Sequence, residues 1–145
     1  MTAIYSHYER ISDSYGEDFG GLRGASREVC YEQIERHVGS IASGLDCAIG
    51  TGDVIEGLSQ RVTIESLVGN DLSEMMLAHA IERQIPGLEP LHGNALHLEN
   101  HIEAESRDFL ACHLLYDYCG LEPMMGIASR LVEPGGVFSS MTTTK

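Results

Sequence analysis

The stretch Leu45-Asp46-Cys47-Ala48-Ile49-Gly50-Thr51-Gly52-Asp53 holds the residues of this chain best suited to gripping a ligand. An apolar run leads into two glycines, and Val54-Ile55-Glu56-Gly57-Leu58 follows with helical patterning. The spacing predicts a buried strand, a glycine turn and a helix capped by Asp53. Glycine lets the backbone turn tightly and approach a ligand where a Cβ would stand in the way. A strand, such a turn and the positive end of a helix together form a nucleotide pocket, so an adenosine-containing cofactor is expected here.

The spacing also separates the cofactor classes. A dinucleotide fingerprint places a third glycine three residues after the second, but that position is Ile55 counted from Gly50 and Gly52 and Asp53 counted from Ala48 and Gly50. A nicotinamide-dependent oxidoreductase is therefore disfavoured, and no GxxxxGKS/T phosphate loop occurs. The pattern Asp46-x-Ala48-x-Gly50-x-Gly52 instead resembles the first motif of class I S-adenosylmethionine-dependent methyltransferases, with Ala48 in place of that motif's first glycine.

Further segments follow in the order this resemblance implies. Leu67-Val68-Gly69-Asn70-Asp71 reads as a second strand ending in an acid, and Ser73 is the expected N-cap of the helix after it. Asp71 lies 19 residues beyond Gly52, close to the spacing at which an acid meets ribose hydroxyls in such folds. Leu91-His92-Gly93-Asn94-Ala95-Leu96 resembles the family's G-D-A motif, whose acid contacts the adenine amino group. Asn94 stands there instead, and its amide oxygen can still accept from that amine. Ala128-Ser129-Arg130-Leu131-Val132-Glu133-Pro134-Gly135-Gly136 resembles the family's R-L-x-x-G-G helix–turn–strand ending. The resemblance thus implies S-adenosylmethionine as cofactor, with Asp46, Ala48, Gly50, Gly52, Asp71, Leu72, Asn94 and Ala95 around it.

Methyl transfer from a sulfonium is an in-line displacement on an activated carbon, for which the enzyme supplies alignment, dryness and at most one base. His113, at the expected C-terminal end of the strand Asp108–Tyr116, is the candidate base, with Tyr116 the weaker one. By resemblance the N-terminal segment is a lid over the cofactor, offering Tyr8, Tyr15 and Arg23, the last to pair with the methionyl carboxylate.

The elements that position these groups are legible in outline. Residues 1–43 are expected to form a helical lid: one helix with Ile4, Tyr8, Ile11 and Tyr15 on a face, a loop over 16–24, and a second helix with the stripe Val29, Cys30, Ile34, Val38 and Ile41. From residue 44 strand and helix alternate, which predicts an α/β, three-layer Rossmann-like parallel sheet of about five strands, near 44–49, 65–70, 88–92, 107–114 and 136–141. The resemblance gives the order 3-2-1-4-5. The usual sixth and seventh strands have no counterpart before Lys145, so the core is expected to be a shortened one. The fifth strand, Val137–Met141, then becomes an open edge without charge or proline, which predicts a homodimer or a partner subunit at that edge.

Composition bounds the rest. Nine Lys and Arg against 22 Asp and Glu in 145 residues leave a formal charge of −13, which disfavours nucleic acid and anionic membrane and favours a small-molecule methyl acceptor. No long apolar run or signal peptide is evident, which points to the cytoplasm. Cys30, Cys47, Cys112 and Cys119 lack metal or disulfide spacing and read as small apolar residues. His92, His97 and His101 lie in a polar stretch without a clear third ligand, so no metal is expected. Two functions of different kind follow from the resemblance: an active small-molecule methyltransferase, or a non-catalytic module that binds S-adenosylmethionine or completes another subunit.

Overall fold

The computed structural model describes residues 15–113 and 119–142, with side chains from residue 24 onward. A long helix α1 (Tyr15–His37) precedes β1 (Ser40–Ile41), β2 (Gly44–Cys47), α2 (Asp53–Ser59), β3 (Thr63–Ile64) and β4 (Leu67–Asp71). Then come α3 (Glu74–Glu82), β5 (Leu88–His92), a 3-10 turn (Ala95–Asn100), β6 (Arg107–His113), α4 (Leu121–Leu131) and β7 (Val132–Met141). Five strands make one parallel sheet in the order β5-β4-β2-β6-β7. Counted within that sheet, this is the expected order 3-2-1-4-5. The short strands β1 and β3 pair separately and in parallel, and the sequence reading did not foresee them.

Both faces of the sheet are covered, which is why its central strands read as nearly continuous apolar runs. Successive residues point to opposite faces. Along β6, Phe109 and Ala111 enter a core shared with Cys30, Tyr31 and Ile34 of α1 and Ile55 and Leu58 of α2. Leu110 and Cys112 enter the other core, with Leu98 of the 3-10 turn and Met124, Ile127 and Leu131 of α4. The three-layer α/β arrangement is therefore complete across β2, which is buried throughout, and the centre of β6, Phe109–Cys112.

Several local expectations need correction. Residues 16–24, expected as a loop, run on in helical conformation within α1. The segment has four glycines at 16, 20, 21 and 24 but no proline, so each amide can still donate, and the glycines weaken the helix without blocking it. The buried face of α1 is Cys30, Tyr31, Ile34 and Val38, whereas Val29 is 55% exposed and Ile41 belongs to β1. Tyr31 replaces Val29 because it docks on α2, where its hydroxyl donates to the Val54 carbonyl at 2.7 Å and its ring lies against Gly57. Burial pushes that phenol up to about 12. Strand β7 begins at Val132 rather than near 136. Val132 pairs with Arg107 and Val137 with Phe109, so residues 133–136 bulge from the ladder, with Gly135 at φ 88°. The first helix with Ile4, Tyr8 and Ile11, and the candidate Tyr116, lie outside the described residues. Tyr15 and Arg23 stand on α1, and their side chains also lie outside the described residues.

Candidate functional site

The glycine turn leaves β2 through three residues of positive φ: Ala48 at 73°, Gly50 at 60° and Gly52 at 78°. Two bonds anchor the turn, since the amides of Ala48 and Ile49 both donate to the Asn70 carbonyl, at 3.0 and 2.8 Å. Gly52 is confined from behind: a Cβ there would stand 3.1 Å from that of Ala80 and 3.0 Å from Ile85 Cδ1. Gly50 is the opposite case, because a Cβ there would meet nothing within 4 Å. One glycine thus packs the turn against α3, and the other turns a bare backbone toward open space, as close approach to a ligand requires. Ala48 holds a left-handed conformation with a Cβ, a strain of about 1–2 kcal/mol.

The helix after the turn is capped differently from expectation. Gly52 is the N-cap of α2 and makes no side-chain cap bond, while Asp53 is the first helical residue. A left-handed N-cap in van der Waals contact with Ala80 suits only glycine, which displaces Asp53 by one position. Its carboxylate accepts from the Val54 amide at 3.0 Å and from Arg27 Nη2 of α1 at 2.7 Å. In contrast, Ser73 caps α3 as expected, accepting from the Met76 amide at 3.2 Å.

Asp71 ends β4 beside this turn. One carboxylate oxygen accepts from the Gly50 amide at 2.8 Å and the other from the Ser73 amide at 2.9 Å. Burial raises its pKa, opposed by those amides and that of Leu72 and by nearby His92. Each oxygen keeps a second lone-pair direction, so a carboxylate so placed can also receive a vicinal diol. Asn94, in the loop after β5, caps the 3-10 turn by accepting from the Leu96 amide at 3.0 Å, and Ala95 lies buried behind it. Asn70 was missed by sequence reading. Its amide donates to the carbonyls of Leu91 and Gly93, at 3.0 and 2.9 Å, and so clamps the Asn94 loop to β4. An asparagine one residue before the strand-ending acid was the available signal.

Asp46, on β2, is 3% exposed, and its Oδ1 is buried without a partner. Burial, then the charges of Asp71 and Asp53, push its pKa up to about 8. It pairs with Ala111 across the sheet, so His113, two residues further along β6, comes level with Ala48 on the same face. His113 Nε2 lies 3.0 Å from Ser139 Oγ and 3.6 Å from Cys30 Sγ. Its Nδ1 is buried without a partner, and burial lowers the ring's pKa to about 4, leaving it neutral near pH 7. Ser139 and Cys30 escaped sequence reading because they come from β7 and α1. The sheet therefore gathers Asp46, Ala48, Gly50, Gly52, Asp71, Leu72, Asn94, Ala95 and His113 at the carboxyl ends of its strands, the usual ligand side of such sheets. Among the described residues no group of three or more His, Cys, Asp or Glu is arranged to hold a metal ion.

Comparison with known proteins agrees with this geometry. Residues 45–136 match the family model described as a methyltransferase domain. No curated protein matches the sequence. The fold is similar to that of DhpI in complex with SAH, with a TM-score of 0.79, 19% identity and coverage of 97% of this chain and 68% of DhpI. It is also similar to a Haloferax volcanii methyltransferase solved with the Trm112 methyltransferase activator, with a TM-score of 0.75, 18% identity and coverage of 92% and 58% of the two chains. A Thiobacillus denitrificans S-adenosylmethionine-dependent methyltransferase bound to S-adenosyl-L-homocysteine gives 0.59 at 20% identity, covering 75% of this chain and 46% of that one. The chain thus spans about half to two thirds of the length of these proteins. It belongs to the methyltransferase domain family, in its class I, Rossmann-like form.

Proposed function

We propose that this protein binds S-adenosylmethionine at the glycine turn and transfers its methyl group to a small molecule. The observation that carries the reading is the pairing of Gly50, open to space, with Asp71, whose carboxylate is already oriented by the Gly50 and Ser73 amides. In this arrangement Asp71 takes the ribose hydroxyls, Leu72 and Ala95 flank the adenine, Asn94 accepts from its amine, and the turn at Ala48, Gly50 and Gly52 admits the methionyl part beside Asp46. The N-terminal part of α1 closes the site as a lid, bringing Tyr15 and Arg23 to the ligand. The cofactor supplies the activated methyl, and the chain aligns it and excludes water. His113, neutral and hydrogen-bonded to Ser139, takes the acceptor's proton. The charge of −13 supports a small, uncharged or cationic acceptor over nucleic acid, and four free cysteines suit the cytoplasm. Among the described residues no helix is long and apolar enough to cross a membrane.

Isothermal titration is the test: S-adenosylmethionine and S-adenosylhomocysteine are expected to bind and NAD is not. Absence of binding by the first two would overturn the reading.

A partner-dependent form is favoured by one further observation. Among the described residues strand β7 pairs on one side only, with β6, and its half from Val137 to Met141 carries neither charge nor proline. Such an edge pairs readily with another strand. The expected state is a homodimer, or a complex with another subunit, joined there. Light scattering after size exclusion should show more than a monomer at tens of micromolar, and a clean monomer would refute self-association.

A further inference from the structure

Three carboxylates converge where β2 meets the glycine turn, and they are not equivalent. Asp71 is satisfied by backbone amides on both oxygens, and Asp53 by Arg27 and the Val54 amide. Asp46 is the most deeply buried of the three, yet its Oδ1 has no partner, although nearly all buried polar atoms in folded proteins find one. Thr51, in the turn itself, repeats the pattern, 5% exposed with an unpartnered hydroxyl. Two orphaned polar groups thus flank the residues where Gly50 leaves open space. An ionised Asp46 without a counter-charge would sit close to two other carboxylates in a site of low dielectric, so the empty protein holds it as the neutral acid.

We propose that Asp46 is a proton switch for ligand binding: a positive charge of the ligand takes the vacant place at Oδ1, and the carboxyl proton leaves to bulk water as it arrives. The inference rests on the proposed binding of S-adenosylmethionine. The step balances, because one cation enters, one proton leaves and the charge around the turn is unchanged. The same exchange explains how a third carboxylate is tolerated beside Asp71 and Asp53, since it carries charge only when a cation is present. The other groups facing Asp46 do not compete for the role. Cys30 of α1 has its thiol raised by burial, Cys47 on β2 is raised well above its usual value, and burial keeps His113, on the same face of β6, neutral.

Calorimetric titration of the full chain with S-adenosylmethionine, in buffers of differing ionisation enthalpy, counts the protons directly. Between pH 6 and 7, where the ligand's own ammonium stays charged, close to one proton should be released per ligand bound. Affinity should then rise by up to about tenfold over that unit, because a free group that titrates near pH 8 is still protonated throughout it. His92 also lies beside Asp71, and Asp46→Asn isolates the part played by Asp46: the variant should bind with little proton release and a flatter pH profile. Where that variant fails to fold, the parent at pH 9 replaces it: an Asp46 already ionised releases no proton there, and a ligand amine that is largely neutral at that pH takes one up if it is bound as ammonium. S-adenosylhomocysteine lacks the sulfonium but keeps the ammonium. Equal release with both ligands assigns the ammonium to Asp46, and release with S-adenosylmethionine alone assigns the sulfonium. Tight binding with no proton released at pH 6–7 overturns the switch and leaves the cofactor reading intact, whereas no binding at all overturns the cofactor reading.

Discussion

At the carboxyl ends of their strands, the half of the sheet built from β2, β4 and β5 and the half built from β6 and β7 hold their polar side chains by different means. In the first, side chains are fixed to backbone: Asp71 to the Gly50 and Ser73 amides, Asn70 to the Leu91 and Gly93 carbonyls, Asn94 to the Leu96 amide and Ser73 to the Met76 amide. In the second, side chains are fixed to one another, with His113, Ser139 and Cys30 meeting from three elements. A backbone-held group keeps its position when its neighbours vary, and a binding site for an invariant ligand needs that. A side-chain-held group changes with any one of its partners, which suits the part of a site that meets a variable acceptor.

The sharpest way to break this contrast is Asp71→Ala. The substitution removes both the proposed ribose contact and the tie between β4 and the glycine turn. Binding of S-adenosylmethionine and S-adenosylhomocysteine should weaken by about tenfold to a hundredfold, or roughly 1.5–3 kcal/mol, as measured by calorimetry. Affinity equal to the parent's would remove Asp71 from the site.

The same contrast explains what could be read in the sequence. The glycine turn, the acid that ends β4 and the Ser73 cap were legible because each is signalled within a few residues of itself, by turn chemistry, capping or alternation of period, whereas the strand order came with the family resemblance. The cap of α2 was misassigned to Asp53 because the deciding contact is with Ala80, in another helix. The buried face of α1 was misread at Val29 because Tyr31 is selected by its fit to α2. The His113 cluster joins residues 83 and 26 positions apart, which no local pattern announces. Asp46 was visible as a motif residue, but its unsatisfied oxygen is a property of burial and appears only once both faces of the sheet are covered.

One buried ionisable group on each side sharpens the comparison through pH. Asp46 titrates near 8 when folded against 3.8 ordinarily, so between these values the folded state holds a proton that the unfolded state has lost. Its contribution to stability therefore falls as pH rises through that window. His113 is the reverse: its folded value of about 4 lies below the ordinary 6.5, and its contribution rises with pH between them. The two oppose each other between pH 4 and 6.5, and from 6.5 to 8 Asp46 acts alone. Unfolding of the ligand-free protein should show stability declining over that upper range, by up to about 1.4 kcal/mol per pH unit. Asp46→Asn should flatten the decline, and a parent protein whose stability climbs from pH 6.5 to 8 would contradict it.

The smallest effect concerns the backbone on which the first half depends. Ala48 occupies the place of the family motif's first glycine and holds φ at 73°, where an L-residue is strained. The strain persists because both its amide and that of Ile49 are bound to the Asn70 carbonyl, and Asn70 is in turn fixed by Leu91 and Gly93. Ala48→Gly relieves about 1–2 kcal/mol of that strain and adds roughly 0.5–1 kcal/mol of unfolded-state entropy to be lost on folding. The net expectation is a gain of about 0.5–1 kcal/mol, a rise in Tm of roughly 1–4 °C, with ligand affinity unchanged. The sign is the informative part. Were the turn shaped by a bound ligand rather than by its own hydrogen bonds, the more flexible glycine would gain nothing in the empty protein and would weaken binding, and the backbone-held half would differ less from the other than its geometry implies.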